Sequence, residues 1–255
     1  MLDPESGGSL RSARRDSLGR AGEVSTYLPT LLRRLVHVQQ MDFEYAFTQM
    51  VYLATSPSKV YKLTRWRKET KNRWARDDPA FVVILSAFIT VCSLAFGLAL
   101  GASGPLAHLW LVLYNLGAFY GCGLGLATAG WYVSNNYFRV HHSHSVEQEV
   151  EWVYAFDIHC NAYFPMFVLL YVVQFLLLPL LVSSTLLATL ASNTLYAVAF
   201  GAYHYVSFLG YMNLPFLHKD QVTFLLYPIG GVFVAFLCFT MFQINATRLV
   251  CGSLI

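Results

Sequence analysis

The chain has 255 residues, of which 56% are hydrophobic and only 12% charged, about half the charged share of a soluble domain. No Asp, Glu, Lys or Arg occurs in residues 79–138, 158–218 or 221–247, although the net charge is +3. A soluble fold would carry charge along the water-facing stripe of its helices, so these runs exclude a water-soluble globule and call for hydrocarbon as solvent.

Residues 1–26 are rich in Gly, Ser and Arg, lack periodicity, and read as a disordered tail. They contain no apolar core of a secretory signal, so the first hydrophobic span is expected to direct insertion. Residues 27–79 read as a basic, amphipathic, cytosolic helical region. Asp42 is placed to cap a helix whose apolar stripe is Phe43, Ala46, Phe47, Met50, Val51 and Ala54. That segment is too short to span a bilayer, so it is expected to lie in the interface or pack on the bundle. Ser56-Pro57 ends it and starts the next helix.

Residues 59–76 form the strongest candidate interaction surface. They carry Lys59, Lys62, Arg65, Arg67, Lys68, Lys71, Arg73 and Arg76, with Trp66 and Trp74 interleaved and Glu69 as the single acid. Juxtamembrane cations attract anionic lipid, and Trp suits the headgroup zone. An acidic protein partner and RNA phosphates fit the same pattern. Asp77-Asp78-Pro79 then reads as the cap of the first membrane helix.

Five spans are expected at Ala80–Leu100, Leu106–Val133, Ala162–Val182, Thr185–Leu209 and Val222–Ile244, each near the ~20 residues that cross hydrocarbon. They place a transmembrane domain at residues 80–246 and a short luminal tail at 247–255. Fourteen of the 17 Lys and Arg residues precede Pro79. With Arg139 and Lys219 they fall on one side and Arg248 alone on the other. The positive-inside rule puts the amino terminus in the cytosol and the carboxyl terminus in the lumen. Asn245-Ala246-Thr247 is then a luminal glycosylation sequon close to the last span. Cys92, Cys122 and Cys238 sit in apolar runs, and Cys160 and Cys251 fall on opposite sides, so free thiols are expected.

Within the second span, Gly117, Gly121, Gly125 and Ala129 make a small-residue stripe. It suits close packing within the bundle or, alternatively, a homodimer seam. The spans hold Asn115, Gln174, Asn193 and His204 but no ionisable carboxylate or cation, which argues against ion-coupled transport. Pro228, Gly230 and Gly231 suggest a kink in the last span. The segment 134–161 reads as a loop and holds His141, His142, His144 and His159. Such a cluster is the one candidate metal site, and a membrane metalloenzyme is the alternative function. A solvated polar loop is the reading preferred here, with no catalytic residues and no cofactor.

The order and spacing of several landmarks add a resemblance. They are Gln40-Met41-Asp42-Phe43-Glu44, Thr55-Ser56-Pro57, Trp74-Ala75-Arg76-Asp77-Asp78-Pro79-Ala80-Phe81, Val150-Glu151-Trp152, Tyr154-Ala155-Phe156-Asp157, Phe208-Leu209-Gly210-Tyr211 and Leu214-Pro215-Phe216-Leu217. The chain resembles the Unc-fifty, or uncoordinated-like, family of multi-pass Golgi membrane proteins from about residue 38 onward. The resemblance implies a non-enzymatic role in vesicular trafficking, including cell-surface delivery of assembled receptors such as nicotinic acetylcholine receptors. It implies a large Arf guanine-nucleotide exchange factor as partner, and adds RNA binding and an inner-nuclear-membrane pool as secondary properties. The fold expected from the residues is all-α: about five transmembrane helices preceded by cytosolic amphipathic helices.

Overall fold

Residues 41–140 and 148–253 are described in the computed structural model of the chain. The tail 1–26, the segment 27–40 and His141, His142 and His144 lie outside them. Asp42 opens the first described helix, α1 (Phe43–Thr55), by accepting the Tyr45 N–H at 2.9 Å. Pro57 begins α2 (Pro57–Lys71), where its missing N–H leaves no carbonyl unpaired. Ser56 holds the N-cap position without a side-chain hydrogen bond, so the break rests on Pro57.

The buried face of α1 is Ala46, Gln49, Met50 and Leu53. The sequence stripe included Phe47 and Val51, but these are 48% and 59% exposed. The cause is tertiary: α1 packs against two spans at once, and the face between them includes the polar Gln49. No charged residue occurs in 45–58, so the outward face of α1 is also apolar and suits the bilayer interface.

Among the described residues, five helical segments are long and apolar enough to cross a membrane: Ala80–Ala99, Pro105–Phe138, Trp152–Leu176, Leu186–Met212 and Lys219–Met241. The first is α3 (Ala80–Ala99). The second is α4 (Pro105–Val133) with a π-helical extension, Ser134–Phe138. At 34 residues the second span is about 50 Å long and overreaches the ~30 Å of hydrocarbon. Gly101 and Gly104, at φ +77° and +85°, make the turn between α3 and α4.

The third span begins at α5 (Trp152–Phe167), ten residues before the position expected. The stretch 152–161 is therefore helix and not loop, and His159 and Cys160 are buried within it. Its polar residues, Asp157, His159 and Asn161, lowered the apparent hydropathy, but all three face inward. Pro165 lacks the N–H that would bond the Asn161 carbonyl, and a π-helical stretch, Val168–Val173, follows. A short α6 (Leu178–Leu181) leads to the tight turn before α7 (Leu186–Met212), which Thr185 caps through the Ala188 N–H at 3.2 Å. The fifth span is α8 (Lys219–Val222), a 3₁₀ turn and α9 (Tyr227–Met241), which packs on α7.

Loops gather by end. At one end, the Val140 N–H bonds the Phe216 carbonyl at 3.0 Å and the His218 N–H bonds that of Phe138 at 2.7 Å. Asn135 brackets Val150 there with two hydrogen bonds, 2.8 and 3.0 Å. The helix α2 and Trp74 pack at the same end, which is the basic end of the bundle.

The opposite end is closed by α10 (Ala246–Ser253). Here Asn245 donates to the Leu181 carbonyl at 2.8 Å and accepts the Arg248 N–H at 3.0 Å. Asn193 accepts the Ala246 N–H, and Ser192 and Thr247 pair at 2.8 Å. The sequon is thus a buried structural clasp, with Asn245 5% and Thr247 0% exposed.

Candidate functional site

The basic segment does not continue as one helix to residue 76. Asn72 takes a left-handed conformation at φ 54°, which Asn tolerates better than most residues, and α2 stops at Lys71. The chain then turns inward. Trp74 is 5% exposed and packs on Tyr154 and Phe216, with ring centroids 6.1 and 6.4 Å away.

Arg76 is also internal, at 8% exposed. Its N–H donates to an Asp157 carboxylate oxygen at 2.6 Å, and its guanidinium donates to the Asn161 side-chain oxygen. The same guanidinium lies 4.0 Å above the Phe81 ring. Trp74 and Arg76 were expected on the interaction surface. They are instead a plug that fastens the segment to the third span, because a charge so buried needs internal partners.

Tyr61 makes a parallel fastening on the fourth span, donating to the Val206 carbonyl at 2.9 Å. Burial pushes the pKa of this hydroxyl well above its usual value, so it stays a neutral donor. Asp78 ties the start of α3 to the start of α1. Its carboxylate accepts the Ala80 N–H at 3.0 Å and the Asp42 N–H at 2.6 Å. The expectation that the Asp77-Asp78 pair caps α3 thus holds through Asp78, while Asp77 pairs with Lys71 at 3.1 Å.

The remaining cations divide by partner. Arg67 donates to the Tyr45 hydroxyl at 2.7 Å and lies 5.6 Å from its ring centroid. Lys68 bonds the Asn72 carbonyl and lies 5.7 Å from the Trp74 ring. Lys59 lies 5.5 Å from the Tyr52 ring and Arg65 donates to the Asn213 carbonyl at 3.3 Å. Lys59, Lys62, Arg65, Trp66, Lys71 and Arg73 are exposed. Of the ten surface candidates, these six form the outward face.

The other sequence candidates separate. His159 lies in α5, with Nδ1 2.8 Å from the Tyr203 hydroxyl and its ring stacked 5.4 Å from Phe119. Among the described residues, no three His, Cys, Asp or Glu side chains are grouped to hold a metal. His159 is a packed interhelical residue, and the metalloenzyme alternative loses the one candidate ligand that is described.

Gly117, Gly121 and Gly125 have nothing within 4 Å of an added Cβ, and Ala129 is exposed as well. The stripe does not pack inside the bundle. The inward face of α4 is Leu111, Asn115, Phe119, Gly123 and Ala127. There, a Cβ on Gly123 would stand 2.7 Å from His159 Cδ2.

Sequence reasoning did not link Arg76 to Asp157, nor Tyr61 to Val206. A signal for the first existed: Asp157 is the last charge before the long neutral run from 158, in a segment otherwise apolar enough to insert.

Comparison with known proteins adds the lineage of this architecture. A profile of the UNC-50 family matches residues 31–255. The chain belongs to the UNC-50 family. It is similar to the protein unc-50 homolog of Dictyostelium discoideum, with 46% identity over 247 residues, 94% of this chain and 93% of that protein. It is 44% identical over 213 residues to protein unc-50 of Caenorhabditis elegans, covering 82% of this chain and 68% of that one. The human unc-50 homolog is 42% identical over 225 residues, 87% and 84% of the two chains. No solved structure matches. The match takes in the Arg76 plug, α2 and all five spans, so what was described above belongs to the part of the chain that makes it an UNC-50 family protein.

Proposed function

We propose that this UNC-50 family protein is a non-enzymatic Golgi membrane factor that supports trafficking of assembled membrane receptors, nicotinic acetylcholine receptors among them. Its basic end faces the cytosol, and the exposed side chains there recruit a peripheral partner, a large Arf exchange factor being the class that fits a trafficking role. The observation that carries the reading is the outward display of Lys59, Lys71 and Arg73 on a segment pinned from within by Trp74 and Arg76. A surface held rigid by buried anchors presents charge at fixed spacing, which lowers the entropy lost on docking. The Lys/Arg asymmetry supports the cytosolic side for this face.

The test is a triple reversal, Lys59→Glu, Lys71→Glu and Arg73→Glu, in the full chain. Insertion and abundance are expected to stay normal while recruitment of the exchange factor to Golgi membranes falls to background. Unchanged recruitment overturns the role assigned to this face. Orientation is checked with protease added outside intact vesicles, which removes an amino-terminal epitope; its protection refutes the cytosolic placement.

A further inference from the structure

The two sides of α2 are not equivalent. On one, Arg67 and Lys71 are engaged by Tyr45 and Asp77. On the other, Lys62, Arg65, Trp66 and Glu69 recur at three- and four-residue intervals and so share a stripe. That stripe walls a groove of about 380 Å³, whose opposite wall is the last turns of α7: Leu209, Met212 and Asn213.

The charge around the groove is positive. Arg65 and Lys219 both meet the carboxyl-terminal end of α7, Arg65 at the Asn213 carbonyl and Lys219 at those of Met212 and Leu214. These contacts suit the negative end of the helix dipole. Lys62 is exposed and makes no ion pair among the described residues. Among the described residues, Glu69 is the one acid on the groove wall, and it lies farther along α2.

The level of the groove matters as much as its charge. Met212 is the last residue of the 27-residue fourth span, which at about 40 Å exceeds the ~30 Å of hydrocarbon, so this wall suits the headgroup level at its end. Trp66, 66% exposed, stands at that level, which indole prefers. An acidic peptide would match the cations but leave Leu209 and Met212 uncovered. A phospholipid matches both, with its phosphate on the cations and its glycerol and acyl carbons on the apolar wall.

We propose that this groove binds the headgroup of an anionic phospholipid of the adjoining leaflet, its phosphate held by Lys62 and Arg65. The inference rests on reading α2 as a cytosolic basic surface, but it does not need the protein partner. The full chain is purified in detergent and titrated with phosphatidylserine or phosphatidylcholine, and retained lipid is counted by native mass spectrometry. Phosphatidylserine is expected to be retained and phosphatidylcholine lost.

The double variant Lys62→Ala/Arg65→Ala is expected to bind phosphatidylserine about thirtyfold more weakly. Lys62→Ala alone, which disturbs no internal contact, is expected to weaken it about fivefold. Lys71→Ala removes the same charge outside the groove and is expected to leave binding within about a factor of two. Wild-type binding by the double variant overturns the site. So does an equal loss in Lys71→Ala, which would mean diffuse charge, or equal retention of phosphatidylcholine. Competition by inorganic phosphate at the same concentration as the lipid would reassign the groove to a free anion. The reversal of Lys59, Lys71 and Arg73 tests partner recruitment and leaves the groove residues in place, so either claim can fail while the other stands.

Discussion

Arg76 gives the sharpest test of how the basic segment is held. Replacing it with Ala removes three things at once: the charged hydrogen bond to Asn161, the contact 4.0 Å above Phe81, and the positive charge beside the buried Asp157. A hydrogen bond to a charged group contributes about 1.5–3 kcal/mol. A desolvated cation–π contact adds about 2 kcal/mol. Asp157 also loses a nearby positive charge, but it keeps the hydrogen bond from the backbone N–H of residue 76. These contributions overlap, so a loss of about 4 kcal/mol is expected. For a chain of this size that lowers the unfolding midpoint by roughly 10 °C. The assay is thermal unfolding of the detergent-solubilised protein, followed by circular dichroism and by Trp emission. Lys62→Ala, at an exposed position on the neighbouring helix, is expected to move the midpoint by only a degree or two. If the two variants shift equally, Arg76 is not a buried anchor and the account of the plug is wrong.

Two further predictions follow from the packing. In α4, Gly123→Ala drives a Cβ to within 2.7 Å of the His159 ring, whereas Gly121→Ala meets nothing within 4 Å. The first is expected to destabilise by about 1–3 kcal/mol, and the second to be neutral or to stabilise by up to ~1 kcal/mol, read from the same melts; a reversed order would return the outward stripe to the interior. At the opposite end, Asn245 has its amide nitrogen committed to the Leu181 carbonyl. Glycosidase treatment of the expressed protein is therefore expected to give no gel shift, and a shift would mean that the clasp forms after the sequon is read.

The comparison between residues and fold turns on a few positions. Trp66 and Trp74 look alike in sequence, eight residues apart in one basic run, yet one is 66% and the other 5% exposed. Periodicity could not separate them, because the helix that would carry both ends at Lys71. The third span was misplaced for a related reason. Asp157, His159 and Asn161 are polar by composition, and only their partners across the bundle make them interior residues. Gly117, Gly121 and Gly125 read correctly as a helix face but not as a facing direction, since spacing gives the stripe and neighbours give its side.

Composition and the placement of charge along the sequence determined that this chain needs a bilayer, that it crosses about five times, and that its cations gather towards its amino-terminal part. Those properties follow from solvent. Hydrocarbon excludes charge over ~20 residues at a time, and that exclusion is written locally along the chain. The family landmarks were legible for the same reason, being short and contiguous. What tertiary structure decided is which cations remain available. Arg76 and Trp74 face inward because the third span supplies Asp157 and Asn161, and the loop after the fourth span supplies the aromatic ring of Phe216, from far along the chain. Lys62 and Arg65 face a groove because α7 ends beside them. Exposure is a property of pairs of distant segments, and no local pattern carries it.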